Sequence, residues 1–291
     1  EHDYDPDAIR SILGEAEMQS SIIELISKPA EKTLTWAEYR PIFLTEARVR
    51  AGAAFWRENR DTLESISERT GVPVEILVGI IGVETYFGRI TGGHRVVDAL
   101  ATLAFYYPPR AKFFRRELEQ FLLLIREEDM QATEAFGSYA GAMGRPQFMP
   151  SSYRAYAIDS TGDGKRDIWN NWADVAGSIA NYFNAHGWKT GQEVAARATL
   201  SSRWNGTLPK NKLKADETVD SLSKMGVVFS TSLPNEAAGQ LISLEGADGD
   251  ELWVGFHNFF VITRYNRSVM YALAVHQLGQ EIAEAVRGDG N

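Results

Sequence analysis

The chain contains no cysteine, which excludes a disulfide framework, a thiolate metal site and a cysteine nucleophile and leaves the redox compartment open. Long apolar runs are missing too. No stretch reaches the roughly 18 uninterrupted apolar residues of a membrane helix, and the opening Glu1-His2-Asp3-Tyr4-Asp5 lacks the basic-then-apolar order of a signal peptide. The chain therefore reads either as cytosolic or as a mature form that has lost a targeting segment, together with any lipid-bearing cysteine. There is no His-Glu-x-x-His zinc motif, no phosphate loop and no Rossmann glycine fingerprint, and Gly137-Ser138-Tyr139-Ala140-Gly141 lacks nucleophile-elbow spacing. The 5 histidines stand singly and read as structural or surface residues. Positive charge is scarce as well: 30 basic against 39 acidic residues leave a net charge of -9. That removes nucleic acid from the expected partners, because affinity for it comes from neutralising phosphates.

What is present is 291 residues with 44% hydrophobic content, enough to bury a sizeable core. The 7 Trp and 11 Tyr suit carbohydrate and ordinary cores alike. Residues 7–70 read as helices, with Ile22, Ile23, Leu25 and Ile26 in one apolar cluster and Ala47 to Phe55 in another, separated by a turn at Thr33-Leu34-Thr35. From Pro73 to His186 helical patterns recur at 73–87, 110–127 and 173–186. Between Gln192 and Phe260 the texture changes to short β-rich pieces, Val194 to Leu200, Val227 to Ser230, Leu241 to Leu244 and Leu252 to Phe256, broken by Gly, Pro and Asn. Helical spacing returns from Ser268 to Val286. The expected architecture is mainly α, with a small β subdomain inserted into a helical protein.

Two clusters carry chemistry. In the first, Pro73 opens a helix through Val74-Glu75-Ile76-Leu77-Val78-Gly79-Ile80-Ile81-Gly82-Val83-Glu84, which Gly88 can end. At about 100° per residue Glu84 falls on the face of Leu77, Ile80 and Ile81, whereas Glu75 falls on the opposite side. Burial against hydrocarbon favours the protonated carboxyl group that a general acid needs at neutral pH. A buried Glu held by hydrogen bonds for structure is the alternative. In the second, Gly137 to Tyr153, the small residues Ala140, Gly141, Ala142 and Gly144 let a ligand approach the backbone, Ser138 and Gln147 can orient a carboxyl group, and Met143, Phe148 and Met149 make an apolar wall. A tight packing turn is the alternative there.

Gly82-Val83-Glu84-Thr85-Tyr86-Phe87-Gly88 and the 137–153 segment closely resemble the membrane-bound lytic transglycosylase B family, as do Asp159–Asn170, Ile179-Ala180-Asn181-Tyr182-Phe183 and the Asn258–Tyr271 stretch. The resemblance implies a lysozyme-like helical core at 71–190 and a helical domain at 1–70, onto which a C-terminal helix at 267–291 packs back. The small β subdomain falls at 191–266. It implies cleavage of the β-1,4 bond between N-acetylmuramic acid and N-acetylglucosamine in peptidoglycan, leaving a 1,6-anhydromuramyl end. Glu84 is then the catalytic acid and base. Ser138, Gln147, Tyr182, Asn258, Tyr265 and Tyr39 match substrate-binding positions, with Met143 and Phe148 on the wall. Each of these can instead be a core residue. No cofactor is needed for catalysis.

The segment Asp159 to Asn170 reads as a calcium loop. Asp159, Thr161 and Asp163 supply oxygens at its first, third and fifth positions, Gly164 stands at the sixth, the Lys165 carbonyl at the seventh and Asp167 at the ninth. Asn170 replaces the usual bidentate Glu at the twelfth. The family closes a lengthened loop with a later Asp, which here is Asp174. A solvated acidic turn is the alternative, and a bound Ca2+ would be structural.

The expected partner is therefore a peptidoglycan glycan strand, met by a monomer in the periplasm that is lipid-anchored to the outer membrane in a longer precursor. A hydrolytic muramidase and a non-catalytic peptidoglycan-binding scaffold are the rival readings. Retention of Glu84, Ser138 and Gln147 together counts against the scaffold.

Overall fold

A computed structural model describes residues 4–27 and 34–288. Thr33 of the expected turn and residues 289–291 at the end of the expected C-terminal helix lie outside the described residues. Contacts gather into two units, one formed from residues 1–32 and Glu84–Asn181, the other from Thr33–Val83 and residues 182–291, each taken over its described part.

In the first unit, helices α1 (Pro6–Gly14) and α2 (Ser20–Ile26) precede a β-ladder of two short strands, β1 (His94–Arg95) and β2 (Phe136–Gly137). Helix α7 (Val96–Tyr106) packs against α8 (Ala111–Glu127), and α8 against α9 (Pro150–Tyr156). The sequence dictates α8 through its spacing: Phe114, Leu118, Phe121, Leu122 and Ile125 recur every three or four residues and are buried. Burial of each such side chain contributes roughly 1.5–3 kcal/mol. Two buried carboxylates tie segments together. Asp98 accepts from the Glu17 amide at 2.9 Å and from Arg95 Nε at 2.7 Å. Glu117 accepts from the Ser151 amide at 3.0 Å and its hydroxyl at 2.8 Å, fixing the start of α9.

In the second unit, α3 (Trp36–Phe43), α4 (Glu46–Glu58) and α5 (Arg60–Thr70) lead into α6 (Val74–Thr85), and α13 (Val269–Gly288) packs on α4 and α3. Glu38 starts α3 by accepting from the Thr35 amide at 2.8 Å, which holds its carboxyl below the usual range. The β portion is a five-stranded antiparallel sheet ordered β4 (Glu217–Thr218), β6 (Ala238–Gly246), β7 (Gly249–Phe256), β3 (Ala195–Leu200), β5 (Val227–Val228). Helix α11 (Val219–Met225) lies over it, and Leu222, Leu241, Val254 and Phe256 form its core. The strands expected at 194–200, 227–230, 241–244 and 252–256 are therefore found, but β texture ends at Phe256. His257–Tyr265 is helix α12, where sequence reasoning extends the β segment to Phe260. The run Phe259-Phe260-Val261-Ile262 is buried on all sides, so it carries no helical period to read. The two unit boundaries fall inside α6 and inside α10 (Trp172–Ala185).

Candidate active site

Glu84 stands in the last turn of α6, one residue from its end. The helix is not amphipathic: Ile76, Leu77, Val78, Ile80 and Ile81 are all buried, so the wheel argument that separates a solvated Glu75 from a buried Glu84 does not hold, and both carboxylates are partly exposed. What distinguishes Glu84 is its place at the helix terminus. There the chain leaves the helix through a strained turn. Tyr86 and Phe87 both adopt left-handed backbone angles, φ 49° and 59°, and Gly88 follows at 80°. Gln147 is a third strained non-glycine residue of these motifs, at φ 52°. Each such residue costs of order 1–3 kcal/mol and persists only where surroundings enforce it.

The enforcement is visible. Thr85, fully buried, accepts from the Gly88 amide at 3.1 Å and donates to the Arg145 carbonyl at 3.2 Å. Gln147 Nε2 donates to the carbonyls of Thr91 at 3.1 Å and Gly144 at 2.8 Å, leaving Oε1 as the side chain's acceptor. Gly92 lies against Gly137 so closely that a Cβ would sit 2.1 Å from the Gly137 oxygen. The two motifs, fifty residues apart in sequence, are therefore pinned together in the first unit along 85–92 and 137–147. Within the second motif Ser138 Oγ accepts from the amides of Ala140 at 3.2 Å and Ala142 at 3.1 Å, so its own proton remains to donate. Met143 and Phe148 exchange backbone hydrogen bonds of 2.8 and 3.0 Å and are buried. They support the loop from beneath and are corrected from wall to foundation.

The remaining expected binding residues belong to the second unit, where Tyr182 meets Tyr265. Tyr182 and Tyr265 pack edge to face at 4.9 Å, with His186 stacked on Tyr182 at 4.1 Å. The Tyr182 hydroxyl is spent on the Arg264 carbonyl at 2.6 Å, whereas Tyr265 is partly exposed. Tyr39 is buried between Trp36 and Phe43 in α3, as its alternative reading as a core residue has it. Asn258 is fully buried: Oδ1 accepts from the Lys189 amide at 2.9 Å, and Nδ2 donates to the carbonyls of Lys189 at 2.8 Å and Gln192 at 3.0 Å. With both donors used and no exposed surface, Asn258 is corrected to a clamp on the turn between α10 and β3. Sequence reasoning passed over the positions of Thr85 and Arg145; a polar residue ending an apolar helix is the signal for Thr85.

The 159–174 loop is organised by its own amides. Asp159 accepts from Thr161, Gly162 and Gly164 at 3.2, 2.6 and 2.7 Å, which holds its carboxyl below the ordinary range. Asp163 accepts from the Lys165 amide at 2.9 Å and Asp167 from those of Trp169 and Asn170, both at 2.9 Å. Asp174 is buried and bridges the loop, accepting from Ser160 at 2.7 Å and Asp167 at 2.9 Å. Burial pushes the Asp174 carboxyl up, and the facing Asp159 and Asp163 add to this. Among the described residues no three His, Cys, Asp or Glu side chains stand grouped to hold a metal ion. The donor set nevertheless fits a hard cation: oxygen-only ligands, carboxylates that repel one another, and Gly164 at φ 85° in the sixth position.

The chain is similar to known proteins along most of its length. The family model described as Transglycosylase SLT domain matches residues 1–280. Membrane-bound lytic murein transglycosylase B of Escherichia coli (strain K12) is 42% identical over 98% of this chain and 80% of its own length. The soluble lytic transglycosylase SltB1 from Pseudomonas aeruginosa superposes with a TM-score of 0.92 at 46% identity, covering 98% of this chain and 95% of that one. The Escherichia coli lytic transglycosylase Slt35 in complex with calcium gives 0.87 at 42% identity, covering 98% and 90%. With the family model spanning nearly all of the chain and relatives this similar along it, the protein belongs to the Transglycosylase SLT family and is a lytic transglycosylase of lysozyme-like fold.

Proposed function

We propose that the protein cleaves the β-1,4 bond between N-acetylmuramic acid and N-acetylglucosamine in peptidoglycan strands, with Glu84 as its single acid and base. The observation that carries this is the pinned pair of motifs, in which neither 85–92 nor 136–149 contributes a second carboxylate. Protonated Glu84 donates to the glycosidic oxygen as the bond breaks. The resulting carboxylate takes the proton of the sugar's C6 hydroxyl as that oxygen attacks C1, so the proton count closes without external water. The substrate's acetamido group can stabilise positive charge at C1, as in substrate-assisted glycosidases.

In this reading Ser138 offers a proton and Gln147 Oε1 an acceptor, to Glu84 or to the sugar. Tyr265, backed by Tyr182, offers a ring face. Asp159, Thr161, Asp163, the Lys165 carbonyl, Asp167 and Asp174 would hold a calcium ion, whose contribution is to neutralise the facing carboxylates. Residues 71–190 act as the catalytic core, with 1–70 and 267–291 as its helical flank and 191–266 as the β subdomain. The substrate places the enzyme, working as a monomer, in the periplasm, at the outer membrane where a longer form carries a lipid anchor. Among the described residues no helix is long and apolar enough to cross a membrane.

Mass spectrometry of muropeptides released from purified peptidoglycan tests the reading. Anhydromuramyl products, lighter by one water than reducing-end products, are expected. Reducing ends would make the enzyme a muramidase, and no release would favour a scaffold.

A further inference from the structure

Arg145 sits between the two features whose roles have so far been kept apart, the Glu84 turn and the 159–174 loop. Its amide donates to the Ile168 carbonyl at 2.9 Å, and its guanidinium donates to the Asn170 carbonyl at 3.1 Å. The guanidinium lies over the Trp172 ring at 3.8 Å. Its own carbonyl receives the Thr85 hydroxyl at 3.2 Å. On the other side its Nε and the Trp172 ring wall Gly88 so tightly that a Cβ there would meet them at 3.2 and 3.0 Å. Burial works against the charge of this guanidinium, and the nearby Asp167 carboxylate supports it. A partly buried cation that donates to a carbonyl and lies flat on an aromatic face acts through shape and donor geometry as well as through its charge.

We propose that Arg145 is a positioning residue for Glu84, a strut through which the conformation of the 159–174 loop reaches the catalytic turn. This rests on the reading of Glu84 as the acid and base. The strained angles at Tyr86 and Phe87 give the strut its purpose. Such a turn relaxes once the guanidinium no longer ties Asn170 and Trp172 to the backbone that carries Thr85's acceptor and no longer walls Gly88, and a displacement of about 1 Å at the acid costs on the order of 10²-fold in rate.

The test is a kinetic cycle on the full chain with Arg145→Met, Arg145→Lys, Asp159→Asn and the Arg145→Met/Asp159→Asn double variant, with circular dichroism and Tm measured for each. Arg145→Met should lower kcat about tenfold or more while KM stays within about twofold. Arg145→Lys should recover part of the loss, since an ammonium can reach the Asn170 carbonyl but cannot also lie flat on the Trp172 ring. Asp159→Asn should also lower kcat, and the double variant should fall no further than the worse single one, because both act through one connection. Calcium should raise the Tm of Arg145→Met as it does that of the wild type, and fail to do so for Asp159→Asn.

Multiplying losses in the double variant, or a kcat for Arg145→Met unchanged beside that of the wild type, would overturn the strut. If Arg145→Met does not fold, Arg145→Lys and its double variant decide in the same way. A wild type whose Tm calcium does not move would refute the calcium assignment while the kcat cycle still decides the strut. An active Glu84→Gln protein would refute the acid assignment instead.

Discussion

Replacing Asn258 by alanine removes three hydrogen bonds at once, one accepted from the Lys189 amide and two donated to the Lys189 and Gln192 carbonyls. The side chain is fully buried, whereas Lys189 is exposed, so water can recover part of what the backbone loses. At about 1 kcal/mol for each bond the substitution should cost about 3 kcal/mol. For a protein of this size that corresponds to a fall of roughly 6–12 °C in Tm. Asn258→Asp keeps the acceptor, loses both donors and buries a charge, so it should be at least as destabilised. Urea unfolding followed by circular dichroism measures the loss, and turnover of purified peptidoglycan at a temperature where both variants remain folded measures function. A clamp predicts lowered unfolding midpoints with KM near that of the wild type. An unchanged midpoint with KM raised tenfold or more would show that Asn258 binds substrate and that its reassignment is mistaken.

Other residues give further expectations. His276 Nδ1 is buried without a partner, and burial pushes this imidazole down to about 4, so the unfolded chain takes up the proton first as pH falls below about 6.5. Stability should therefore decline as pH falls through that window, by about 2 kcal/mol between pH 7 and pH 5 from this group alone. His276→Leu should flatten the dependence in urea melts; an equal slope in the variant would exclude His276 as its source. Calcium at about 100 times its Kd should stabilise the wild type by about 2.7 kcal/mol. Asp174→Asn should largely abolish that Tm rise, because Asp174 closes the loop from within the core. Gly92→Ala forces a Cβ to 2.1 Å from the Gly137 oxygen at φ 91°, and should lower both Tm and kcat by parting the two motifs.

Elements with a strong period were legible in the sequence. The helical pattern at 110–127 corresponds to α8 at Ala111–Glu127, because it alternates a buried face with an exposed one; the pattern at 173–186 corresponds to α10 at Trp172–Ala185, which is buried from 174 to 180 and has exposed residues only at its end, Asn184 and Ala185. Helices buried all round were harder to read. Helix α7 was not resolved within its segment, the start of α12 was counted into the β-rich segment, and the position of Glu84 on α6 could not be argued from a wheel. The reason is the same each time, since a helix without a solvent side has no periodic contrast. Glu84, Ser138 and Gln147, the proposed site residues, could be singled out because their motifs are local. Asn258 was not legible, because its partners Lys189 and Gln192 lie more than sixty residues away, and nothing in a linear reading distinguishes a clamp from a sugar ligand. Arg145 was hidden for a related reason: its role consists of contacts with 168–172 and with Thr85, none of which a motif displays.

The most direct test of the account is the rate of anhydromuramyl product formation by Glu84→Gln, measured beside its Tm. Glutamine keeps the shape but cannot donate or accept the proton, so kcat should fall by on the order of 10²–10⁴-fold or more with Tm near that of the wild type. A Glu84→Gln protein that still releases anhydromuramyl products at a rate within tenfold of the wild type would contradict the single-carboxylate mechanism.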